Sequence, residues 1–400
     1  MTEATRVLVL NSGSSSVKYQ LIDMDGRRRL ATGIVERIGE RSARLVHTPA
    51  DGERRERGGP FADHRAALRA AAEELAADGT GFDSPELAAV GHRVVHGGDV
   101  FSGPVVVDDR VIADIEALVP LAPLHNPGNL EGIRTAAALS PGVPQVAVFD
   151  TAFHTTMPEY AARYAIDVRT ADEHGIRRYG AHGTSHAYVS RRTAALLGRA
   201  PEDVNVIVLH LGNGCSAAAV RGGRCVDTSM GMTPLEGLVM GTRSGDIDPA
   251  VVPYLARNAD MSLDEVDELL NRRSGLLGLC GDNDMREVTR RVDEGDGAAR
   301  LALDVYTHRL RKYIGGYMAV LGRVDAVVFT AGVGENSAPV RAATVAGLEP
   351  LGLAVDPDLN ASAERGPRFI SPQYASVAVA VVPTDEELEI AGQAYDLVST

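Results

Sequence analysis

V-L-V-L-N-S-G-S-S-S-V-K-Y-Q-L-I-D, residues 7–23, reads as an apolar strand, a turn of one glycine and four serines, and a second strand entered through a lysine. The stretch decides the fold because it recurs. V-I-V-L-H-L-G-N-G-C-S-A-A-A-V, residues 206–220, lies on it without a gap, with His210 on Asn11 and Gly212 on Gly13, 199 residues further on. About half the chain separates the copies, so each half is predicted to open with the same hairpin, its turn small enough for backbone N–H groups to reach a ligand. A chance match of two strand-turn-strand units is the alternative.

Composition sets the frame around these hairpins. Four hundred residues suit two domains, and 44% apolar with 24% charged residues is a globular balance. A formal net charge of −14 opposes nucleic-acid binding, which needs basic surface. Any bound phosphate must therefore be held locally. Cys215, Cys225 and Cys280 form no C-x-x-C pair, so neither a disulfide framework nor a zinc cluster is indicated. The opening M-T-E-A-T-R shows no secretory signal and no run of 18 apolar residues occurs, so a cytoplasmic protein without a membrane partner is expected. Only Lys18 and Lys312 among the 40 basic residues are lysine, which singles out the lysine in the first hairpin.

The coarse pattern is αβ throughout. A helix is predicted over residues 64–77, a buried strand from Leu87 ending in glycines, and a proline-forced loop from Pro120 (P-L-A-P-L-H-N-P-G-N). Another buried strand starts at Val143, with Asp150 at its carboxyl end. In the second half a long helix runs from Leu303, and a strand from Asp325 runs into the glycine turn T-A-G-V-G-E-N. Thr384 followed by Glu387 reads as a capping box for the closing helix.

Glycine turns after strands make phosphate binding the leading chemical theme. Neither lysine follows a glycine, so the Walker pattern is absent. G-N-G-C-S-A at Gly212 fits a dinucleotide fingerprint, yet the chain continues through Gly222-Gly223 as a strand where that fold needs a helix. A hairpin phosphate clamp fits better, with two such turns facing each other across a cleft. Asn11, Ser14 to Ser16 and Lys18 would then approach phosphate; a turn rich in serine for its own sake is the alternative. Arg93 in H-R-V-V-H-G-G and Arg243 in G-T-R-S-G-D call for an anion, either an internal carboxylate or a bound one. Asp150 and Glu386 are candidate magnesium-shell carboxylates. His182 and His186 are spaced like a metal pair but lack the glutamate of H-E-x-x-H, so His182 is assigned to an anion or transition state and His186 to structure.

N-S-G-S-S-S-V-K-Y at Asn11, H-R-V-V-H-G-G at His92, P-L-H-N-P at Pro123, V-F-D-T-A-F-H at Val148 and R-Y-G-A-H-G-T-S-H at Arg178 resemble the acetokinase family. So do H-L-G-N-G at His210, D-T-S-M-G-M-T-P-L-E-G-L at Asp227, G-T-R-S-G-D at Gly241, T-A-G-V-G-E-N at Thr330 and P-T-D-E-E-L at Pro383, which together span nearly the whole chain. The resemblance implies an α/β fold of duplicated actin-like (ribonuclease H-like) domains with a cleft between them. It implies residues 1–150 as the acid-binding domain, with a closing helix over 385–400 packed back on it, and 151–384 as the nucleotide-binding domain.

The activity implied is reversible phosphoryl transfer from ATP to acetate, giving acetyl phosphate and ADP, with Mg²⁺, in a homodimer. Asn11 and Glu386 would lie in the magnesium shell. Arg93 would hold the carboxylate, Asp150 would be the active-site carboxylate, and His182 and Arg243 would stabilise the transition state. Val95, Leu124, Ala181 and Pro234 would line the acid pocket. Lys18, His210, Leu211, Gly212, Asn213, Gly214, Asp284, Met285, Arg286, Gly332, Val333, Gly334, Glu335 and Asn336 would hold the nucleotide.

This chain departs from the family pattern at Ala181, where phenylalanine is usual, and the missing ring predicts a wider pocket and relatively better use of propionate or butyrate. Cys215, Gly128 and Asp385 are smaller departures from Ala, Pro and Asn, the last adding negative charge beside Glu386. A propionate or butyrate kinase is thus one alternative, and a non-catalytic actin-like protein another. The latter would have no need of Arg93 and Arg243 in small-residue surroundings.

Overall fold

The computed structural model describes residues 4–399; residues 1–3 and 400, at the outer ends of the first expected domain and of the closing helix, lie outside the described part. The chain divides into two units, Met1–Ala152 with Asp385–Thr400, and Phe153–Thr384.

The first unit is built on eight strands: β1 (Arg6–Ser12), β2 (Ser16–Asp23), β3 (Arg28–Glu36), β4 (Arg44–Pro49), β5 (Arg55–Gly58), β6 (Leu87–Val94), β7 (Val105–Val106) and β8 (Gln145–Phe149), in the order β5-β4-β3-β2-β1-β6-β8-β7. The unbroken apolar run of β1 follows from its central place, since a strand covered on both faces has no reason to alternate. Leu8 and Leu10 face Ala67, Leu68, Ala71 and Leu75 of the helix His64–Ala77, which Asp63 caps by accepting from Ala66 N at 2.7 Å. Val7 and Val9 face Ile390, Ala391 and Ala394 of the closing helix Glu386–Val398.

The second unit carries β9 (Asn205–Leu211), β10 (Cys215–Arg221), β11 (Arg224–Thr228), β12 (Ala326–Thr330), β13 (Arg368–Phe369) and β14 (Ala378–Val381), in the order β11-β10-β9-β12-β14-β13. Ile207, Leu209 and Leu211 pack with Tyr306, Leu310 and Ile314 of the helix Gly297–Leu321, and Val206 and Val208 pack with Val189 and Ala194 of the helix Gly183–Leu196.

The series β3-β2-β1-β6-β8 matches β11-β10-β9-β12-β14: in each, two antiparallel pairings are followed by two parallel ones. The duplicated α/β architecture is therefore present. Its register is not the gapless one. Asn11 pairs with Lys18, whereas His210 pairs with Ser216, because four residues lie between the last paired positions of the first hairpin, Ser12 and Val17, and only three between those of the second, Leu211 and Cys215. The counterpart of Lys18 is thus Ser216, one position earlier than the gapless match sets it.

Local readings change at four places. The third proline of 120–129 does not extend the loop: a helix, Asn126–Leu139, begins around Pro127, whose missing N–H costs nothing in a first turn. The expected glycine turn after β12 is a short helix, Ala331–Asn336, entered by Ala331 at φ 64°. The long helix starts earlier than Leu303, at Gly297, where Asp296 accepts from Ala298 N and Ala299 N. The cap of the closing helix is Asp385, which accepts from Leu388 N at 3.0 Å; Thr384 instead pairs its hydroxyl with Ser185.

Candidate active site

In the first unit the parallel strands β1, β6 and β8 end side by side, and ligands of open α/β sheets bind at such carboxyl ends. Asn11 is the penultimate residue of β1, Arg93 of β6, and Asp150 follows β8 directly, its N–H bonded to Val94 O at 2.9 Å. The closing helix brings Glu386 in its first turn. Arg93 donates from Nη2 to the buried Asp150 carboxylate and from Nη1 to Asn11 Oδ1 at 3.4 Å, and its Nε lies 4.0 Å from Glu386 Oε2. That Nε is buried without a hydrogen-bond partner. Burial pushes Glu386 up to about 7, with Asp150 and Glu387 adding to the rise and Arg93 and Lys18 opposing it. Burial works against the Arg93 charge, but Asp150 and Glu386 outweigh it and hold the guanidinium protonated.

Two residues that the sequence reading passed over support this cluster. Asn129 donates to Ser12 O at 2.7 Å and accepts from Val95 N at 3.1 Å, while Asn126 bonds both backbone groups of His96. Both asparagines are buried on the helix Asn126–Leu139, and N-P-G-N inside a presumed loop hid that spacing. The same helix lies close on the serine turn: a Cβ at Gly128 would stand 3.1 Å from Gly13 O, and one at Gly132 would overlap the Ser12 hydroxyl. Ser14 and Ser15 are exposed, as is Lys18 on β2. Val95 is partly buried and Leu124 is 61% exposed.

In the second unit His182 caps the helix Gly183–Leu196 from a left-handed backbone, φ 56°, a conformation uncommon for a residue with a side chain. Its Nδ1 lies 2.9 Å from the Ser216 hydroxyl, and its ring stacks on His210 at 4.2 Å. Arg243 donates to Pro234 O at 3.3 Å and approaches Met240 Sδ at 3.7 Å; it has no ion pair among the described residues, and burial lowers its pKa. A Cβ at Gly214 would meet both Arg243 Nη1 and His182 Cε1 at 3.5 Å, so the guanidinium and the imidazole flank the second turn together. Ala181 is 6% exposed and belongs to the main apolar cluster of this unit, its carbonyl accepting from His154 Nε2 at 2.9 Å.

A cavity of about 790 Å³ opens beside that turn. Gly212 and Asn213 line one side, Asp284, Met285 and Arg286 another, and Gly332, Val333 and Asn336 a third. The remaining candidates for the nucleotide are placed elsewhere. Leu211 is in the core, Gly334 packs on the Phe329 backbone, and His210 Nδ1 bonds Ser185 Oγ at 2.8 Å. Glu335 turns inward, accepting from Ala331 N at 2.8 Å and Thr384 N at 3.2 Å, and so ties together the ends of two strands. Lys18 belongs to the first unit. No group of three or more His, Cys, Asp or Glu side chains suited to a metal occurs among the described residues.

The model of the acetokinase family matches residues 6–392. A Streptomyces griseus subsp. griseus protein named acetate kinase is 74% identical over 99% of this chain and 97% of its own. Among solved structures, an acetate kinase from Porphyromonas gingivalis superposes with a TM-score of 0.94 at 43% identity, covering 99% of this chain and all of that one. A propionate kinase from Francisella tularensis subsp. tularensis reaches 0.92 at 43%, covering 98% and 99%. With its duplicated sheets, the arginine-centred cluster at the strand ends and these relatives, this chain belongs to the acetokinase family.

Proposed function

We propose that the protein is an acetate kinase, transferring the γ-phosphoryl group of ATP reversibly to acetate to give acetyl phosphate and ADP. The observation that carries this reading is Arg243, a partly buried guanidinium with no carboxylate partner among the described residues, which calls for an anion from outside the chain. The unpartnered Nε of Arg93 supports a second anion site in the first unit.

Acetate is ionised at neutral pH, so the acceptor needs no strong base. Two anions must be brought together instead, and their repulsion runs to several kcal/mol at an intermediate dielectric. Arg93 binds the acid's carboxylate, held in place by Asp150 and Asn11. That makes Asp150 first a positioning partner of Arg93, where a role on a metal or its water shell was expected. Arg243 and His182 hold charge that develops on the transferring phosphoryl oxygens. The cavity beside Gly212 takes the nucleoside, with glycines at two of its edges and Asn213, Met285, Arg286, Val333 and Asn336 among its lining.

Mg²⁺ fits the residues present. Asn11 and Glu386 offer hard oxygen donors, and a divalent cation would offset the burial and the neighbouring carboxylates that raise Glu386. Held by them, the ion would neutralise phosphate charge, with few protein ligands, as is usual for magnesium.

The first unit is read as the acid-binding half and the second as the nucleotide-binding half, in a cytoplasmic homodimer without nucleic-acid or membrane partners. No described helix is long and apolar enough to cross a membrane. Trapping acyl phosphate with hydroxylamine in the presence of ATP, Mg²⁺ and acetate tests the reading: hydroxamate forms at a rate proportional to enzyme, and none above blank from folded protein overturns it. A propionate or butyrate preference is favoured by one observation, the methyl of Ala181 in place of a phenyl ring. Comparing kcat/KM over C2 to C4 acids decides between them.

A further inference from the structure

His186 entered as a structural residue, and Ser216 was not singled out at all. Ser216 Oγ nevertheless lies 2.9 Å from His182 Nδ1 and 2.8 Å from His186 Nε2, so one hydroxyl joins two imidazoles. Ser216 and His186 are both fully buried. A serine hydroxyl has one hydrogen and two lone pairs, and among the described residues Ser216 Oγ has no partner besides these two nitrogens; accepting from both would strand its own buried hydrogen, so it donates to one and accepts from the other.

The direction of this chain follows from its far end. His186 Nδ1 is buried with no hydrogen-bond partner. Burial, together with His154 and His210, pushes the His186 pKa well below the ordinary value, so its ring is neutral and carries one hydrogen. On Nδ1 that hydrogen would be a buried N–H donor without an acceptor, a state that folded proteins rarely contain. On Nε2 it donates to Ser216. The Ser216 hydroxyl then donates onward, and His182 Nδ1 is left as the acceptor. Adding a proton at His182 Nδ1 would reverse the whole chain and create the orphaned donor.

The surroundings of His182 act in the same sense. It sits at the positive end of the helix Gly183–Leu196, it stacks on His210, and Arg243 shares its turn. The helix end and the Arg243 guanidinium both place positive potential at this turn, and a neutral imidazole next to a helix N-terminus is an effective hydrogen-bond donor to developing negative charge.

We propose that Ser216 and His186 are positioning residues that hold His182 as the neutral tautomer with its hydrogen on Nε2, the form that donates to the transferring phosphoryl group. The second half of that statement rests on the acetate kinase reading; the tautomer itself does not. The internal duplication explains why the sequence hides it, since Ser216 occupies the position of Lys18 once the shorter turn is counted.

Long-range ¹H–¹⁵N correlation spectra of the ¹⁵N-labelled full-length protein, with His182→Gln to assign the resonance, read the tautomer directly. The Nε2–H form is expected in the wild type at pH 7 to 8. In Ser216→Ala the tautomers should mix, and kcat in the hydroxamate assay should fall roughly 10- to 100-fold, the range for removing a buried partner that orients a functional histidine, with both KM values within about twofold. Ser216→Thr, which keeps the hydroxyl, and His186→Gln, whose amide N–H can replace Nε2–H, should recover most of that loss. A wild-type His182 protonated at Nδ1 overturns the proposal. So does a folded Ser216→Ala with unchanged tautomer and kcat. Should His186→Gln fail to fold, the two Ser216 variants decide alone. Wild-type protein that forms no hydroxamate removes the kinase reading, while the spectra still decide the tautomer.

Discussion

The carboxyl ends of the two sheets solve one problem in two ways. In the first unit the buried polar cluster is ionic: Arg93 against Asp150 and Glu386, with Asn11 at the strand end. At the matching strand end of the second unit stands His210, and the cluster is built from imidazoles and hydroxyls of His182, Ser185, His186, His210, Ser216 and Thr384. Arg243, which flanks the same turn, has no carboxylate partner among the described residues. The ionic cluster has its counter-charges within the protein, while the arginine of the second unit, on the proposed reading, takes its counter-charge from a ligand. Stability and activity should therefore separate between the two arginines.

Breaking that comparison is most direct with Arg93→Ala and Arg243→Ala. Each should lower kcat/KM by about 10²–10³-fold or more, the usual effect of removing a group that stabilises developing charge. Only Arg93→Ala should also destabilise the fold, by about 3–5 kcal/mol, because it strands Asp150 as a buried charge. Urea denaturation of both variants is the check; equal losses of stability would erase the distinction.

Next in size is a pH effect on stability. His92 is fully buried against Gln145 at 2.8 Å, and burial depresses its pKa to about 4. The folded state keeps it neutral while the unfolded chain binds a proton below about 6.5, so its contribution is intact above that pH and is lost as pH falls towards 4. The loss amounts to about 3 kcal/mol at pH 4. His92→Gln should flatten the stability profile over that window, measured by urea denaturation at several pH values. His186 in the second unit acts in the same direction, so the cluster of imidazoles and hydroxyls shares this acid sensitivity.

Asn129→Leu sharpens the comparison from the scaffold side. It leaves Ser12 O and Val95 N without partners, at a cost of about 1–3 kcal/mol, and should raise KM for the acid more than KM for ATP. The smallest effect belongs to Ala181→Phe. It should shift discrimination among C2 to C4 acids towards acetate by about 1–3 kcal/mol in kcat/KM. An unchanged preference in both forms would remove Ala181 from the specificity determinants.

Much of the framework was legible because it is local. The helix His64–Ala77 and the strand start at Leu87 follow from composition and spacing over a few residues. Arg93 and Asp150 were legible as a pair of charges at the ends of apolar strands, where water cannot compensate them. Thr384 was read by its motif as a cap and is not one. Its hydroxyl meets Ser185, and its N–H donates to Glu335, which also accepts locally from Ala331 N; neither long-range partner can be read from a capping box.

The sequence by itself determined the duplication, the two apolar strand-turn-strand hairpins and the presence of an arginine in each half that needs an anion. Hydrophobic alternation and turn composition carry that information along the chain. Only the tertiary structure decided that the second turn is one residue shorter between its paired ends, that Ser216 stands where Lys18 does, that Arg93 has an internal carboxylate while Arg243 has none among the described residues, and that one serine hydroxyl lies between His182 and His186. Those outcomes depend on partners far apart in sequence. Burial makes an unpaired polar group costly, and the fold settles which partner is within reach.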